Sequence, residues 1–201
     1  FAGWKLIEEK AKGKVSSPVG IKLHGMNMFQ ASSGIKDKIS KYWFRPPARF
    51  LMKNSDYVFS YGGKITNIIQ KTGIASEKII EIPTGIESEW VSSDISETDT
   101  KKRFLFIGRY ERLKGIEELS IAIKKLENRY DFEFNFIGPI PMHLRLKSKK
   151  VKYWGVTTNP KEIQQVMDQC DILCCPSFSE GMPNAILEAM ARGLAILATD
   201  V

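Results

Sequence analysis

No apolar run in the 201-residue sequence approaches the roughly 18 to 20 residues a helix needs to cross a bilayer. The longest, such as Asp171 to Ser177, is interrupted within a few residues, so a spanning helix is excluded. Cysteine is scarce: three occur, at 170, 174 and 175, in or beside one apolar segment, with two histidines, His24 and His143, and no C-x-x-C pair. That pattern excludes a disulfide scaffold and the usual structural zinc spacings, and it reads the cysteines as core residues in a reducing compartment. There is no repeat of fixed period and no low-complexity stretch beyond one short polar segment. Methionine, a basic leader and a small-residue cleavage site are all missing from the start, and the sequence stops straight after the apolar run ending at Ala198. The expectation is a chain cut at both ends.

What is present suits a packed protein, with 43% hydrophobic and 10% aromatic residues. The net charge of +7 is uneven: residues 1 to 90 carry 14 Lys/Arg against 8 Asp/Glu, and residues 91 to 201 carry 16 against 15. A basic first half reads either as contact with an anionic partner or as a solvated basic surface. No RNA or DNA module is recognisable, so nucleic acid is not expected as a partner.

From residue 101 onward, short β-rich runs alternate with helical patterns. Phe104–Ile107 precedes a stripe of Ile116, Leu119, Ile123 and Leu126. Phe132–Ile137 is followed by a proline-broken stretch, Val151–Trp154 and a helix near Lys161 to Asp168. Ile172–Cys175, a helix from about Pro183 to Ala191, and Leu194–Ala198 complete the series. Continuous apolar strands separated by helices predict a parallel, doubly wound α/β domain that binds ligands at the carboxyl ends of its strands. Residues 1 to 90 show the same style less clearly, with a helix near Gly3 to Ala11 and strands near Val19–Leu23, Tyr57–Ser60 and Lys78–Ile82. Residues 63 to 72 read as another helix, and an aromatic, basic stretch runs from Tyr42 to Lys53. For Tyr42 to Phe50 two readings stay open, contact with a membrane surface or a helix facing the core. The polar segment from Val91 to Thr100 reads as a linker.

Three features carry chemistry. In Pro176-Ser-Phe-Ser-Glu180-Gly-Met-Pro-Asn-Ala-Ile-Leu-Glu188, two acids eight apart straddle a strand-to-helix junction. Pro183 suits the first helical turn, which leaves free N–H groups around Gly181 to Asn184 as an anion site. Glu188 reaches back toward the pocket that Glu180 borders, because helical side chains tilt toward the N-terminus. Carboxylates beside a phosphate site suit a sugar nucleotide, whose vicinal hydroxyls donate to them; a capping Glu plus a solvated Glu is the plain alternative. Secondly, a buried strand ends in Gly108-Arg109 and Lys114 follows, which makes a fork and a point charge for a diphosphate; two surface cations are the alternative. Thirdly, Gly138-Pro139 ends the next strand and lets backbone approach a ligand.

Together these residues resemble glycosyltransferase family 4, the retaining glycosyl transferases group 1. Gly-Arg-x4-Lys-Gly, Gly-Pro and Pro-Ser-x-x-Glu-Gly-x-Pro-Asn-x-x-Leu-Glu-Ala-Met-Ala look like that family's C-terminal domain. Upstream, Lys22-Leu-His24-Gly25, Ser55–Ser60 and Ile82-Pro-Thr84-Gly-Ile86 resemble its other landmarks, with Thr84 in place of the usual Asn. The resemblance implies a GT-B fold of two Rossmann-like, doubly wound domains facing across a cleft. Residues 1–90 would be a partial, acceptor-side domain, 91–100 the linker and 101–201 the donor domain. It further implies that Arg109 and Lys114 hold the diphosphate, Glu180 the sugar hydroxyls and Glu188 the ribose. Gly108, Gly138, Pro139, Gly181, Met182, Pro183, Asn184 and Leu187 would line the donor, and His24 would face its sugar.

The implied reaction transfers a hexosyl unit from a nucleoside diphosphate sugar to a hydroxyl on a glycan or lipid-linked acceptor, in cell-surface polysaccharide or glycolipid synthesis. No cofactor is expected, and the absence of any D-x-D triplet agrees with Arg and Lys replacing a divalent metal. Cytoplasmic location, peripheral at the inner, anionic membrane face, is the matching expectation. A sugar-nucleotide epimerase-like protein and a binding-only module are the alternatives.

Overall fold

The computed structural model describes residues 3–23, 25–32, 34–92 and 101–201. His24 and most of the expected linker, 93–100, lie outside the described residues. The chain divides into two compact units, residues 1–84 with 179–182 and 201, and residues 85–178 with 183–200.

The first unit runs α1 (Trp4–Ala11), β1 (Gly20–Lys22), α2 (Ile35–Asn54), β2 (Tyr57–Ser60), α3 (Gly63–Lys71) and β3 (Ile79–Glu81). Its strands are parallel in the order β1-β2-β3. In α3, Ile65 and Ile69 lie one turn apart and both enter a core with Met26, Met52, Val58 and Ile74. The aromatic, basic stretch of the sequence is helical, and the helix starts earlier than that stretch, at Ile35. Pro46 and Pro47 sit inside it. Two ring nitrogens without hydrogen leave the Tyr42 and Trp43 carbonyls without their intrahelical donors, so local propensity argues against a helix here. Burial of Ala48, Leu51 and Met52, each at 0% exposure, offsets it.

The second unit runs β4 (Lys102–Ile107), α4 (Ile116–Leu126), β5 (Phe132–Ile137), β6 (Val151–Gly155), α5 (Pro160–Met167), β7 (Ile172–Cys175), α6 (Asn184–Ala191) and β8 (Ala195–Ala198). All five strands are parallel, in the order β6-β5-β4-β7-β8. Successive side chains enter opposite faces. Leu105 and Leu173 pack with Val166 and Met167 of α5 and Ala189 of α6, while Phe106 and Cys174 pack with Ile116 and Ile123 of α4. Helix starts follow local chemistry: Asn159 caps α5 by accepting from the Lys161 amide at 3.1 Å, with Pro160 next. Glu117 and Glu118 open α4 and Lys124 and Lys125 close it, each sign at its favoured end of the dipole.

One device recurs in both units. Asp56, directly before β2, accepts from the Val19 amide at 2.7 Å, and its own amide donates to the Val19 carbonyl at 2.9 Å. Asp171, directly before β7, does the same with Arg103, at 2.7 and 2.8 Å. Each aspartate thereby starts two neighbouring strands in register. The Lys10 ammonium at 2.8 Å and the Val19 amide hold the Asp56 carboxyl below the usual carboxylate range.

In the second sheet β4 is the turning point: the chain fills β5 and β6 on one side, then returns to fill β7 and β8 on the other. A crevice for ligand opens at the carboxyl ends of the two strands where the order reverses, here β4 and β7. Two glycines set how closely the connections approach there. Gly115 has φ +66°, and a Cβ on it would fall 1.9 Å from the Pro176 carbonyl oxygen. Gly138 has φ +138°, and its Cβ would fall 1.9 Å from the Gly108 oxygen.

Gly115→Ala is expected to destabilise the second unit by about 1–3 kcal/mol from the left-handed backbone alone, with the clash added. Gly155→Ala, at φ +79° with open space around it, carries the first cost only. Urea unfolding of the two variants measures the difference, and equal losses would contradict the close approach.

Candidate functional site

Both connections at the crevice are held by the chain itself. After β4, Gly108 donates to the Ile137 carbonyl at 3.0 Å and Lys114 closes a short 3-10 turn onto Glu111 at 2.9 Å. After β7, the Phe178 amide donates to the Leu113 carbonyl at 2.8 Å, and the Arg112 guanidinium lies 4.7 Å from the Phe178 ring centre. The Thr199 hydroxyl, beyond β8, bonds the Ser177 carbonyl. At β5, Gly138 donates to the Gly155 carbonyl at 2.7 Å. The carboxyl ends of β4, β5, β6, β7 and β8 are thus tied into one layer.

Arg109 leaves this layer into solvent, 72% exposed, with its guanidinium 3.0 Å from Glu111. An exposed ion pair of this kind is worth about 0–1 kcal/mol, so Glu111 holds Arg109 only weakly. Lys114 is half-buried on the same connection and Pro139 is exposed beside Gly138. Pro183 corrects an expectation: it is not in the first helical turn but precedes it, at φ −73° and ψ 115°, with α6 opening at Asn184. No side chain caps that end, so its first amides keep the anion-binding character of a helix N-terminus. Asn184 is exposed, and Leu187 and Glu188 are half-buried. Burial raises the Glu188 carboxyl above its ordinary value of 4.5.

Glu180, Gly181 and Met182 group with the first unit and are half-buried. There the Gln30 side-chain amide donates to the Glu180 carbonyl at 2.6 Å, and the Thr84 amide meets the Met182 sulfur at 3.2 Å. His24 lies outside the described residues. The structure therefore brings Gly108, Arg109, Lys114, Gly138 and Pro139 to the carboxyl ends of one sheet. Sequence reading missed the Leu113–Phe178 strap and the ring under Arg112, because a backbone bond between two loops leaves no mark in residue types.

The cysteines supply no nucleophile from the core: burial pushes the Cys170 and Cys174 thiols up to about 12. Among the described residues, no three His, Cys, Asp or Glu side chains gather as a metal site, and no helix is long and apolar enough to cross a membrane.

A profile of the glycosyl transferases group 1 family matches residues 101–201, from the start of β4 past β8. The chain belongs to this family. Among curated relatives, an N,N'-diacetylbacillosaminyl-diphospho-undecaprenol alpha-1,3-N-acetylgalactosaminyltransferase of Campylobacter jejuni is 28% identical over 202 residues, covering 89% of this chain and 51% of that protein. The amylovoran biosynthesis glycosyltransferase AmsK of Erwinia amylovora is 28% identical over 144 residues, covering 64% and 35%. The chain thus spans about half or less of the curated relatives it matches. In fold it is similar to Anabaena Alr3699/HepE, solved in complex with UDP, with a TM-score of 0.72 at 15% identity, over 98% of this chain and 58% of that one.

Within this glycosyltransferase fold, Glu188 makes a test with a definite sign. Because its folded pKa is raised, the folded state holds the proton to higher pH than the unfolded chain. Stability is lost as pH rises from 4.5 through the raised value. Glu188→Gln is expected to be more stable than the parent at pH 7, with the difference vanishing below pH 4.5. Thermal melts across pH check this, and a variant less stable at pH 7 would contradict it.

Proposed function

We propose that this chain is part of a retaining glycosyltransferase that moves a hexosyl unit from a nucleoside diphosphate sugar to a hydroxyl acceptor. Residues 1–90 serve the acceptor side and 101–201 the donor, joined through 91–100. The observation that carries the reading is the reversal of strand order at β4 and β7, where Arg109, Lys114 and a half-buried Glu188 belong to the connections that leave those strands.

Each role follows from chemistry. Arg109 exchanges Glu111 for the donor's diphosphate, Lys114 adds a point charge, and the uncapped start of α6 adds backbone donors. Glu188, with a carboxyl short of solvent, gains most from two hydroxyl donors and holds the ribose. Glu180 takes the sugar hydroxyls, with His24 facing that sugar. Gly181, Met182, Pro183, Asn184 and Leu187 line the donor beside Gly108, Gly138 and Pro139. The bond from the anomeric carbon to the diphosphate oxygen breaks, the acceptor oxygen attacks the same face, and its proton passes to the departing phosphate. Stabilising that leaving group is the dominant contribution, and the two cations with the helix dipole supply the charge that a divalent ion supplies elsewhere.

Relatives named for amylovoran synthesis and for a diphospho-undecaprenol compound support glycan synthesis on a glycan or lipid-linked acceptor; cell-surface use and peripheral contact at the anionic cytoplasmic face of a membrane are part of the same proposal.

Calorimetry with UDP and with GDP tests the donor site. One nucleotide is expected to bind, and Arg109→Ala and Glu188→Ala are each expected to weaken it about tenfold or more, about 1.4 kcal/mol. A folded chain that binds neither nucleotide would sink the reading, and unaffected variants would remove these residues from it. Turnover of the nucleotide sugar separates transfer from a binding-only module.

A further inference from the structure

The turn that follows β1 meets the loop that carries Glu180, and both belong to the first unit. Residues Asn27–Phe29 form a short 3-10 turn, and helix α2 clamps the backbone around it. Arg45 donates from Nε to the Met28 carbonyl at 2.7 Å. Lys41, one helical turn earlier and 4% exposed, donates to the Ala31 carbonyl at 2.5 Å. The Arg45 and Arg49 guanidiniums lie 5.9 and 5.8 Å from the centre of the Phe29 ring. From this held turn Gln30 meets two consecutive residues of the loop. Its Nε2 donates to the Glu180 carbonyl at 2.6 Å, and its Oε1 faces the Ser179 hydroxyl. That hydroxyl, on a residue only 5% exposed, also has Asn27 Oδ1 at 2.7 Å. A primary amide presents a donor and an acceptor side by side, so Gln30 fixes the register of the loop and not one atom of it.

We propose that Gln30, backed by Asn27, is a positioning residue for Glu180 and thereby sets how strongly the site takes the sugar of its donor. This rests on the reading above in which Glu180 takes the sugar hydroxyls. Gln30 needs no contact with the donor: it acts through the backbone of Ser179 and Glu180, whose polar groups lose their partners when the amide is removed. Arg109, Lys114 and Glu188, assigned above to the diphosphate and the ribose, belong to the second unit, whereas Glu180 is tied to the first. Loosening Gln30 is therefore felt at the sugar and not at the nucleotide.

Calorimetry on the full chain compares UDP with UDP-glucose, UDP-galactose and UDP-N-acetylglucosamine, and GDP with GDP-mannose. Within a pair, the affinity of the sugar nucleotide relative to the bare nucleotide isolates the share that belongs to the sugar. For the pair that binds best, this ratio is expected to fall about tenfold in Gln30→Ala and in Gln30→Met, which keeps the volume and loses both bonds, while affinity for the bare nucleotide stays within about twofold of the parent. Thermal melts check that the variants are folded at the titration temperature. An unchanged ratio in a folded variant that still binds nucleotide would overturn the positioning role and leave the donor site standing. Equal losses for nucleotide and sugar nucleotide would overturn it as well, as a general loosening of the fold. A parent that binds nucleotide but none of these sugar nucleotides would contradict a loop set for the sugar. A parent that binds no nucleotide would sink the donor site, and this inference with it.

Discussion

The close approach of bare backbone at the ends of the second sheet is the constraint on which the candidate site depends. With Gly115 seated against the Pro176 carbonyl and Gly138 against that of Gly108, the connections after β4, β5 and β7 lie nearer together than side chains permit. The Leu113–Phe178 bond then fixes two of them to each other. Arg109 and Lys114 leave from a tied frame, so the backbone that carries them is ordered in advance of any ligand that the site would take.

That frame rests in turn on strand register. Asp171 starts β7 level with β4 through reciprocal bonds to Arg103, as Asp56 starts β2 level with the residues before β1. A slip of one residue would exchange Phe106 with Leu105, and so the two faces packed on α4 and on α5 and α6. Asp171 therefore acts at the amino end of the second sheet, opposite the crevice, and bears on the site through strand register.

The second unit was legible because its strands are short apolar runs and its helices have clean stripes, such as Ile116, Leu119, Ile123 and Leu126. The parallel sheet with helices on both faces follows from that alternation. Helix α2 was less so: Pro46-Pro47 argues against a helix, and apolar residues on both sides hide which face is buried. Only packing decides that Leu51 goes in and Trp43 out. Pro183 was placed one residue too far into α6, since proline suits both the cap and the first turn. The candidate cations were recognisable by position after a strand, while the Glu111 partner of Arg109 was not, because an ion pair two residues apart has no spacing signature.

The central claim is that a nucleoside diphosphate lies at the carboxyl ends of β4 and β7. Amide hydrogen exchange with and without saturating UDP or GDP reads this directly. The account predicts added protection in residues 108–115, at Gly138 and in residues 184–188, with α2 unchanged. Protection confined to other segments, such as 143–148 or α2, would contradict it.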